Sequence, residues 1–262
     1  MAASSMARRL LAFDLDDTLA VTKSPISDAV AGLLGCALAI YDVCVISGGA
    51  FAQFKTQVID RLHVSDRELT RLHLMTTSGT RYFRFEESTS AWAQQYAEDL
   101  SDSDRQQAIA VLTDGAKKLG FWESEPYGDR IEDRGSQITF SALGQQAPAE
   151  LKYKWDSDGA KKEALRAYAA EKLPNLSVRA GGSTSVDVTR QGIDKAYGMR
   201  RLLTVLGLAA SDVLFFGDQL NEGGNDFPVK STGIDTIAVR DATDTALALE
   251  VILAVSTPPQ PA

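Results

Sequence analysis

A cluster of carboxylates and a hydroxyl directly follows an apolar run near the start of the chain. Asp14, Asp16 and Thr18 alternate along residues 14–18. In an extended chain, side chains two residues apart point to the same side, and like charges that close are costly unless a cation lies between them or one is protonated. The first case suits Mg²⁺, which prefers hard oxygen ligands, and the second suits a general acid. A solvated turn is the alternative for this cluster taken alone.

A second apolar run ends in a hydroxyl and two glycines. Ser47, Gly48 and Gly49 come just before a stretch of helical length. Backbone N–H groups at the start of a helix attract anions, so this segment can offer a hydroxyl and free N–H groups to a phosphate. A simple turn explains the same residues equally well.

Further charged residues stand in the last third of the chain. Asp218 closes another apolar run, Asn225 and Asp226 follow in a Gly-rich loop, and Lys195 begins a helical pattern. A helix cap or a surface lysine would explain each of them singly. Together with the two earlier segments, they stand at strand ends and helix starts, where open α/β sheets bind their ligands. The placement favours one shared site.

These segments need a parallel sheet to bring them together, and the hydrophobic pattern predicts one. Short apolar runs alternate with stretches of helical length at both ends of the chain, as is typical of a parallel sheet covered by helices. The expected strands are residues 9–15, 41–46, 72–77, 212–216 and 234–239, and the expected helices are 26–40, 50–62, 195–208 and 243–253.

The middle third of the chain has a different pattern. Polar residues alternate along its β-rich stretches, as is typical of antiparallel strands open on one face. We expect two helices within residues 88–119, β-rich stretches at 134–143 and 176–189, and a charged helix at 159–173. The prediction is an α/β core of residues 1–82 and 191–262, interrupted by an α+β domain of residues 83–190.

The composition limits the classes of protein to consider. The chain has 262 residues, 44% apolar and 24% charged, which is enough for a substantial core and unlike a disordered chain. Its 27 Lys and Arg against 35 Asp and Glu give a net charge of −8, which argues against binding nucleic acid through bulk electrostatics. No apolar run approaches the roughly 20 residues of a membrane span, and Cys36 and Cys44 lack a metal-ligand spacing. We expect a cytoplasmic protein that binds neither nucleic acid nor membrane.

In this order, the motifs resemble those of the haloacid dehalogenase superfamily of phosphotransferases. These are DxDxT, a strand-terminal Ser-Gly, a Lys and a GDxxxxxxND loop. The resemblance implies that Asp14 is the nucleophile that forms an aspartyl-phosphate, and that Asp16 is the general acid and base. Thr18 and Ser47, with the two glycines after Ser47, would hold phosphoryl oxygens, and Lys195 would neutralise developing charge.

The same resemblance implies Mg²⁺ as the cofactor. Its ligands would be Asp14, the backbone carbonyl of Asp16, and Asp218, with Asn225 and Asp226 as nearby support. A receiver-like phospho-acceptor module is a non-enzymatic alternative, because it also pairs strand-end carboxylates with a hydroxyl and a lysine. Such modules are much shorter than this chain and have no inserted domain.

The inserted domain corresponds to the C2-type cap of subfamily IIB, which implies a Rossmann-like core and a cap that sets the substrate. Three stretches look most like the eukaryotic-type phosphomannomutases, at residues 131–135, 181–188 and 216–226. By that resemblance, Ser185 and Asp187 would contact sugar hydroxyls, and Arg134 and Lys23 would bind a phosphate. A homodimer through the cap is implied in the same way.

Departures from those mutases favour hydrolysis. An arginine expected near the end of the cap strand is Gln145, the one after the first motif is Lys23, and a third aligns with Lys152. Gln cannot supply the forked, charge-assisted contact of Arg, and each lost contact costs about 1.5–3 kcal/mol. A mutase must hold a second phosphate in the cap, whereas a hydrolase needs only the core site. We therefore expect a phosphatase of a sugar phosphate or similar ester, with phosphomannomutase or phosphoglucomutase activity as the alternative.

Overall fold

The chain folds into two compact units. The computed structural model describes residues 8–256, so the N-terminal residues 1–7 and the Pro-rich segment from residue 257 lie outside the described range. Among the described residues, one unit consists of 8–96 and 194–256, and the other of Ala97–Ile193. No helix among residues 8–256 is long and apolar enough to cross a membrane.

The strands and helices are numbered in chain order. The strands are β1 (Leu10–Phe13), β2 (Asp42–Ile46), β3 (Leu72–Thr76), β4 (Arg81–Glu86), β5 (Ala91–Ala97), β6 (Ile131–Asp133), β7 (Gln137–Ser141), β8 (Leu176–Ala180), β9 (Ser185–Arg190), β10 (Val213–Gly217) and β11 (Asp235–Ala238). The helices are α1 (Asp28–Ile40), α2 (Phe51–Gln57), α3 (Asp66–Leu69), α4 (Asp102–Lys118), α5 (Ala149–Trp155), α6 (Ala160–Lys172), α7 (Lys195–Leu206) and α8 (Ala242–Ser256).

The first unit is built on a seven-stranded sheet in the order β11-β10-β1-β2-β3-β4-β5. Strands β11, β10, β1, β2 and β3 run parallel, and β4 pairs antiparallel with β3. The expected α/β fold with a parallel sheet is confirmed. The order places β1 between β10 and β2, so the carboxyl ends of these three strands are neighbours.

Helices cover both faces of this sheet because its central strands are apolar on both sides. In β1, Leu11 and Phe13 pack into a core shared with α1 and α8. Leu10 and Ala12 face the opposite side, where Met199 of α7 packs. All four β1 side chains are fully buried, which is typical of a strand in a parallel sheet.

The helix predicted at the start of residues 88–119 is wrong. Residues 91–97 form β5, the last strand of the first sheet, and the helix α4 begins at Asp102. Aromatic contacts account for the strand: Trp92 packs against Phe51 and Phe85, and the Tyr96 hydroxyl donates to the carbonyl of Gly79. These tertiary contacts outweigh the helical preference of the Ala and Gln residues in this segment.

The boundary of the inserted domain is therefore also different. Residues 83–96 were expected in the insert, but they continue β4 and form β5 within the first unit. The second unit ends at Ile193, shortly after the expected residue 190.

The second unit has an antiparallel sheet in the order β6-β7-β9-β8. Its apolar face, which includes Ile138, Phe140 and Val188, packs against α4 and α6. The alternate residues are polar and meet across β7 and β9, where Thr139 pairs with Asp187 and Ser141 with Ser185. The alternation predicted from the sequence thus places the candidate sugar-binding residues together on the polar face.

A buried histidine in β3 makes stability depend on pH. The ring of His73 is 2% exposed, and its Nδ1 lies 2.7 Å from the hydroxyl of Tyr82. Burial lowers the pKa of His73 from 6.5 to about 4. Between these two pH values the unfolded chain binds a proton that the folded protein does not, so stability falls as the pH falls through this window.

We expect the substitution His73→Asn to remove this part of the acid sensitivity. Titration of His73 lowers the free energy of unfolding by about 3 kcal/mol as the pH falls from 6.5 to 4. Urea unfolding of both proteins at several pH values measures it. If the free energy of unfolding changed with pH by the same amount in both proteins, His73 would not be the source of the acid sensitivity.

Candidate active site

The candidate site stands at the carboxyl ends of three neighbouring strands. Asp14 directly follows β1, Ser47 follows β2 and Asp218 follows β10. The backbone N–H of Asp14 donates to the carbonyl of Phe216 at 2.9 Å, which continues the pairing of β1 with β10 to the edge of the sheet. The topology thus brings three of the predicted residues to one edge.

A buried lysine joins two of the carboxylates. Lys195 is the first residue of α7, and its Nζ lies 2.5 Å from Oδ1 of Asp14 and 2.6 Å from Oδ1 of Asp226. Each of these three residues is at most 3% exposed. The side chain of Asp194 caps α7 by accepting from the N–H of Tyr197, which fixes where the helix begins.

Three carboxylates form a cluster that could hold a metal ion. Oxygen atoms of Asp14, Asp218 and Asp226 lie within 4.8 Å of one another. Burial raises the pKa of Asp14 well above its ordinary value; Lys195 opposes this rise, and Asp226 adds to it. Burial also raises the pKa of Asp218. The attraction of Asp14 and Asp226 outweighs the burial of Lys195 and raises its pKa, so this ammonium stays charged. The cluster therefore places three carboxyl groups against one ammonium group.

Both carboxylates of the β10 loop are held in place. Asp226 Oδ2 accepts from the N–H of Gln219 at 3.0 Å, and a Cβ added at Gly217 would lie 2.5 Å from that oxygen. The hydroxyl of Thr18 donates to Asp218 at 3.3 Å and accepts from the N–H of the same residue at 3.1 Å. These two contacts hold Thr18 against Asp218. The expected contact of Thr18 with a phosphoryl oxygen stays a prediction.

Asp16 lies apart from the carboxylate cluster. Its carboxylate accepts from the N–H of Lys23 at 2.8 Å and from the side-chain amides of Gln57 at 3.2 Å and Gln53 at 3.1 Å. Only its backbone carbonyl is therefore left for the metal role that the sequence suggested. Gln53 and Gln57 were missed, although their spacing of four residues in the helix after Ser47 was a visible signal.

The Ser-Gly-Gly turn leads into α2. The Oγ of Ser47 accepts from the N–H of Gly49 at 3.3 Å, and Ser47 is 6% exposed. Its neighbour Gly48 lies in the same turn, and Lys23 reaches this region with its Nζ 2.7 Å from Oε1 of Gln53. Among the other predicted residues of the first unit, Asn225 is exposed in the loop after β10.

The predicted cap residues lie in the second unit. A Cβ added at Gly181 would lie 2.7 Å from both the Oγ of Ser185 and Oδ2 of Asp187, so these two side chains converge over that glycine. Asp187 also accepts from the hydroxyl of Thr139 at 2.7 Å. Arg134 is 7% exposed, and its guanidinium is paired with Glu132 at 2.6 Å.

A close backbone contact sets the position of α7 and therefore of Lys195. Gly198 lies one helical turn after Lys195, and a Cβ added there would lie 2.7 Å from the carbonyl oxygen of Ser78 and 2.6 Å from Cδ1 of Ile46. The opposing residue is Gly79, whose φ of +87° also favours glycine. Only glycine at position 198 lets the helix come this close.

We expect Gly198→Ala to lower turnover by about tenfold to hundredfold, because it displaces the helix that carries Lys195. The matched control is Gly32→Ala in α1, where an added Cβ meets nothing within 4 Å. That control should keep full activity and equal or greater thermal stability. Equal steady-state turnover of the two variants would contradict this role of the contact.

Comparison with known proteins by sequence points to one family. The model of the eukaryotic phosphomannomutase family matches residues 44–255. A probable phosphomannomutase of Caenorhabditis elegans is 24% identical over 235 residues, which cover 87% of this chain and 89% of that protein. The phosphomannomutase of Spinacia oleracea is 32% identical over 107 residues, 39% of this chain and 41% of that protein.

Solved structures share the fold at low identity. An N-terminally truncated, IMP-bound IMP-nucleotidase of Plasmodium falciparum has a TM-score of 0.69 at 16% identity, covering 95% of this chain and 69% of that one. A haloacid dehalogenase-like hydrolase from Bacteroides thetaiotaomicron has a TM-score of 0.60 at 15% identity, covering 94% of this chain and 99% of that one. Since the family model matches most of its length, the chain belongs to the eukaryotic phosphomannomutase family.

Proposed function

We propose that this protein is a Mg²⁺-dependent phosphotransferase that acts on hexose phosphates as a phosphomutase, through a phosphoryl group carried by Asp14. The observation that supports this proposal most directly is the buried contact of Lys195 with Asp14 and Asp226 at the edge of the sheet. Phosphoryl transfer depends chiefly on positioning and on positive charge around the phosphoryl oxygens, and this arrangement supplies both.

In the first step, the Asp14 carboxylate attacks the phosphorus atom of the ester. Lys195 occupies Oδ1 of Asp14, and no hydrogen bond among residues 8–256 engages Oδ2, which leaves that oxygen for the attack. A bond forms from Asp14 to phosphorus, the bond from phosphorus to the ester oxygen breaks, and Asp16 protonates the leaving oxygen. Lys195 stabilises the negative charge on the transferred group.

In the second step, an acceptor hydroxyl takes the phosphoryl group back from Asp14. Asp16, now a carboxylate, removes the proton of that hydroxyl, whose oxygen bonds to phosphorus as the bond to Asp14 breaks. The Asp14 carboxylate and the proton on Asp16 are thereby restored. A hexose hydroxyl as acceptor makes the reaction a mutase, and water makes it a phosphatase.

The acidic cluster fits a magnesium ion. Its donors are hard carboxylate oxygens within 4.8 Å of one another, the kind of ligand that Mg²⁺ prefers. Asp14 and Asp218 would hold the ion with the backbone carbonyl of Asp16, while Asp226 is largely engaged by Lys195 and Gln219. When bound, Mg²⁺ supplies positive charge to the phosphoryl oxygens.

Family membership favours the mutase over the phosphatase. The relatives named above are phosphomannomutases, so the preference for hydrolysis drawn from Gln145 is not confirmed.

The second unit also contains buried cationic side chains: Arg134 is 7% exposed and Lys152 is 3% exposed. The Nζ of Lys152 donates to the backbone carbonyl of Gln145 at 3.0 Å, which places a positive charge beside the substituted position. Because Gln145 stands where an arginine is expected, phosphatase activity is the second candidate function.

We expect Asp14→Asn to abolish turnover and labelling by a phosphate ester while leaving the fold intact. The amide has the shape of the carboxylate but is a poor nucleophile, and Lys195 keeps its contact with Asp226. Turnover is measured with mannose 1-phosphate and Mg²⁺, and the fold by circular dichroism. Activity of this variant near that of the unaltered protein would contradict the proposed nucleophile.

An assay with mannose 1-phosphate and Mg²⁺, run with and without glucose 1,6-bisphosphate, distinguishes a hexose hydroxyl from water as the acceptor. We expect hexose 6-phosphate to form in the presence of the bisphosphate, and faster than inorganic phosphate. Gln145→Arg should raise the ratio of the two products by about tenfold, because it adds a charge-assisted contact to a phosphate. Its control is Gln146→Arg, at the exposed neighbouring position. Inorganic phosphate as the sole product would instead support the phosphatase.

A further inference from the structure

The carboxylate of Asp16 is held by donors from two separate segments. One oxygen accepts from the N–H of Lys23 at 2.8 Å and from Nε2 of Gln57 at 3.2 Å. The other accepts from Nε2 of Gln53 at 3.1 Å. With both oxygens engaged from different directions, the side chain cannot rotate without breaking a hydrogen bond.

The environment of Gln57 determines which way its amide faces. Gln57 is 2% exposed, and its Nε2 also donates to the carbonyl of Ser24 at 2.6 Å. Two acceptors, Asp16 and the Ser24 carbonyl, therefore surround one end of the amide, and only the NH₂ group can satisfy both.

Gln53 links a cation to the same carboxylate. Its Oε1 accepts from the ammonium of Lys23 at 2.7 Å, while its Nε2 donates to Asp16. A charged donor on the carbonyl side polarises the amide and strengthens the hydrogen bond that its NH₂ group makes. A Cβ added at Gly49 would lie 2.5 Å from Oε1 of Gln53, so this glycine leaves the space through which the side chain reaches Asp16.

We infer that Gln53 and Gln57 are positioning residues that aim the Asp16 carboxyl group for proton transfer. The inference rests on the proposed function, in which Asp16 protonates the leaving oxygen and later deprotonates the acceptor. General acid–base catalysis requires the carboxyl oxygen to lie within hydrogen-bond reach of the reacting oxygen. The two amides on α2 restrict Asp16 to one rotamer before substrate binds.

This role predicts a dependence on the leaving group that a merely structural role would not produce. An alkyl oxygen, as in a hexose phosphate, must be protonated as it leaves, so its departure needs a correctly aimed Asp16. The oxygen of p-nitrophenyl phosphate leaves as a stable phenolate and needs little protonation. Loss of positioning should therefore slow transfer from the hexose phosphate and spare transfer from the aryl phosphate.

The experiment compares Gln53→Met and Gln57→Met with the unaltered protein by rapid quench in the presence of Mg²⁺. Methionine keeps the length of the side chain and removes the donor. The rates measured are phosphorylation of Asp14 by mannose 1-phosphate and the first-turnover burst of p-nitrophenol from p-nitrophenyl phosphate. The matched control is Thr56→Ala, an exposed position on the same helix whose hydroxyl bonds only to its own helix backbone.

We expect Gln53→Met to lower the rate with mannose 1-phosphate by about tenfold or more and to leave the p-nitrophenol burst within about threefold. Gln57→Met should act in the same direction, and Thr56→Ala should change neither rate. An equal loss with both substrates, or no loss with either, would overturn the positioning role alone. Release of p-nitrophenol by the Asp14→Asn variant at the rate of the unaltered protein would overturn the proposed aspartyl-phosphate, and this inference with it.

Discussion

The buried ammonium of Lys195 is the constraint on which the site depends. Removing an ammonium ion from water costs several kcal/mol unless carboxylates compensate it, and here Asp14 and Asp226 do so at 2.5 and 2.6 Å. The ion pair requires β1, the loop after β10 and the start of α7 to meet at one point. The missing side chains of Gly198 and Gly217 make the required approach sterically allowed. The packing of the first unit thus holds Lys195 next to the two carboxylates that compensate its charge.

Two carboxylates that are neighbours in sequence have separate environments, and this separation is what the chemistry needs. Asp14 turns into the buried cluster beside Lys195, whereas Asp16 turns towards the amides of α2. A nucleophile must stay next to positive charge, and an acid–base group must exchange its proton with the substrate. Paired carboxyls in different surroundings can divide these two tasks between them. Since the two residues are only two positions apart, it is the partners supplied by other elements that separate them.

The sequence predicted the parts of the site that lie at strand ends, because an apolar run that stops at a carboxylate or a hydroxyl marks such an edge. Asp14, Ser47 and Asp218 were found in this way. Residues 91–97 were misassigned because the contacts of Trp92 and Tyr96 come from distant segments. The engagement of Thr18 with Asp218 depends on long-range geometry that the sequence does not show. The spacing of Gln53 and Gln57 was a visible signal, but it did not indicate that their partner is Asp16. The preference for hydrolysis rested mainly on Gln145, and one missing arginine is weak evidence against the relationship of a whole chain.

The central claim is that Asp14 carries the phosphoryl group, and chemical trapping tests it most directly. The protein would be mixed with Mg²⁺ and glucose 1,6-bisphosphate, quenched, and treated with borohydride, which reduces an acyl-phosphate to an alcohol. Peptide mass spectrometry would then locate the reduced residue. The account predicts homoserine at position 14 and an unmodified Asp16. Reduction at Asp16, or no reduction at either position while the protein turns over, would contradict it.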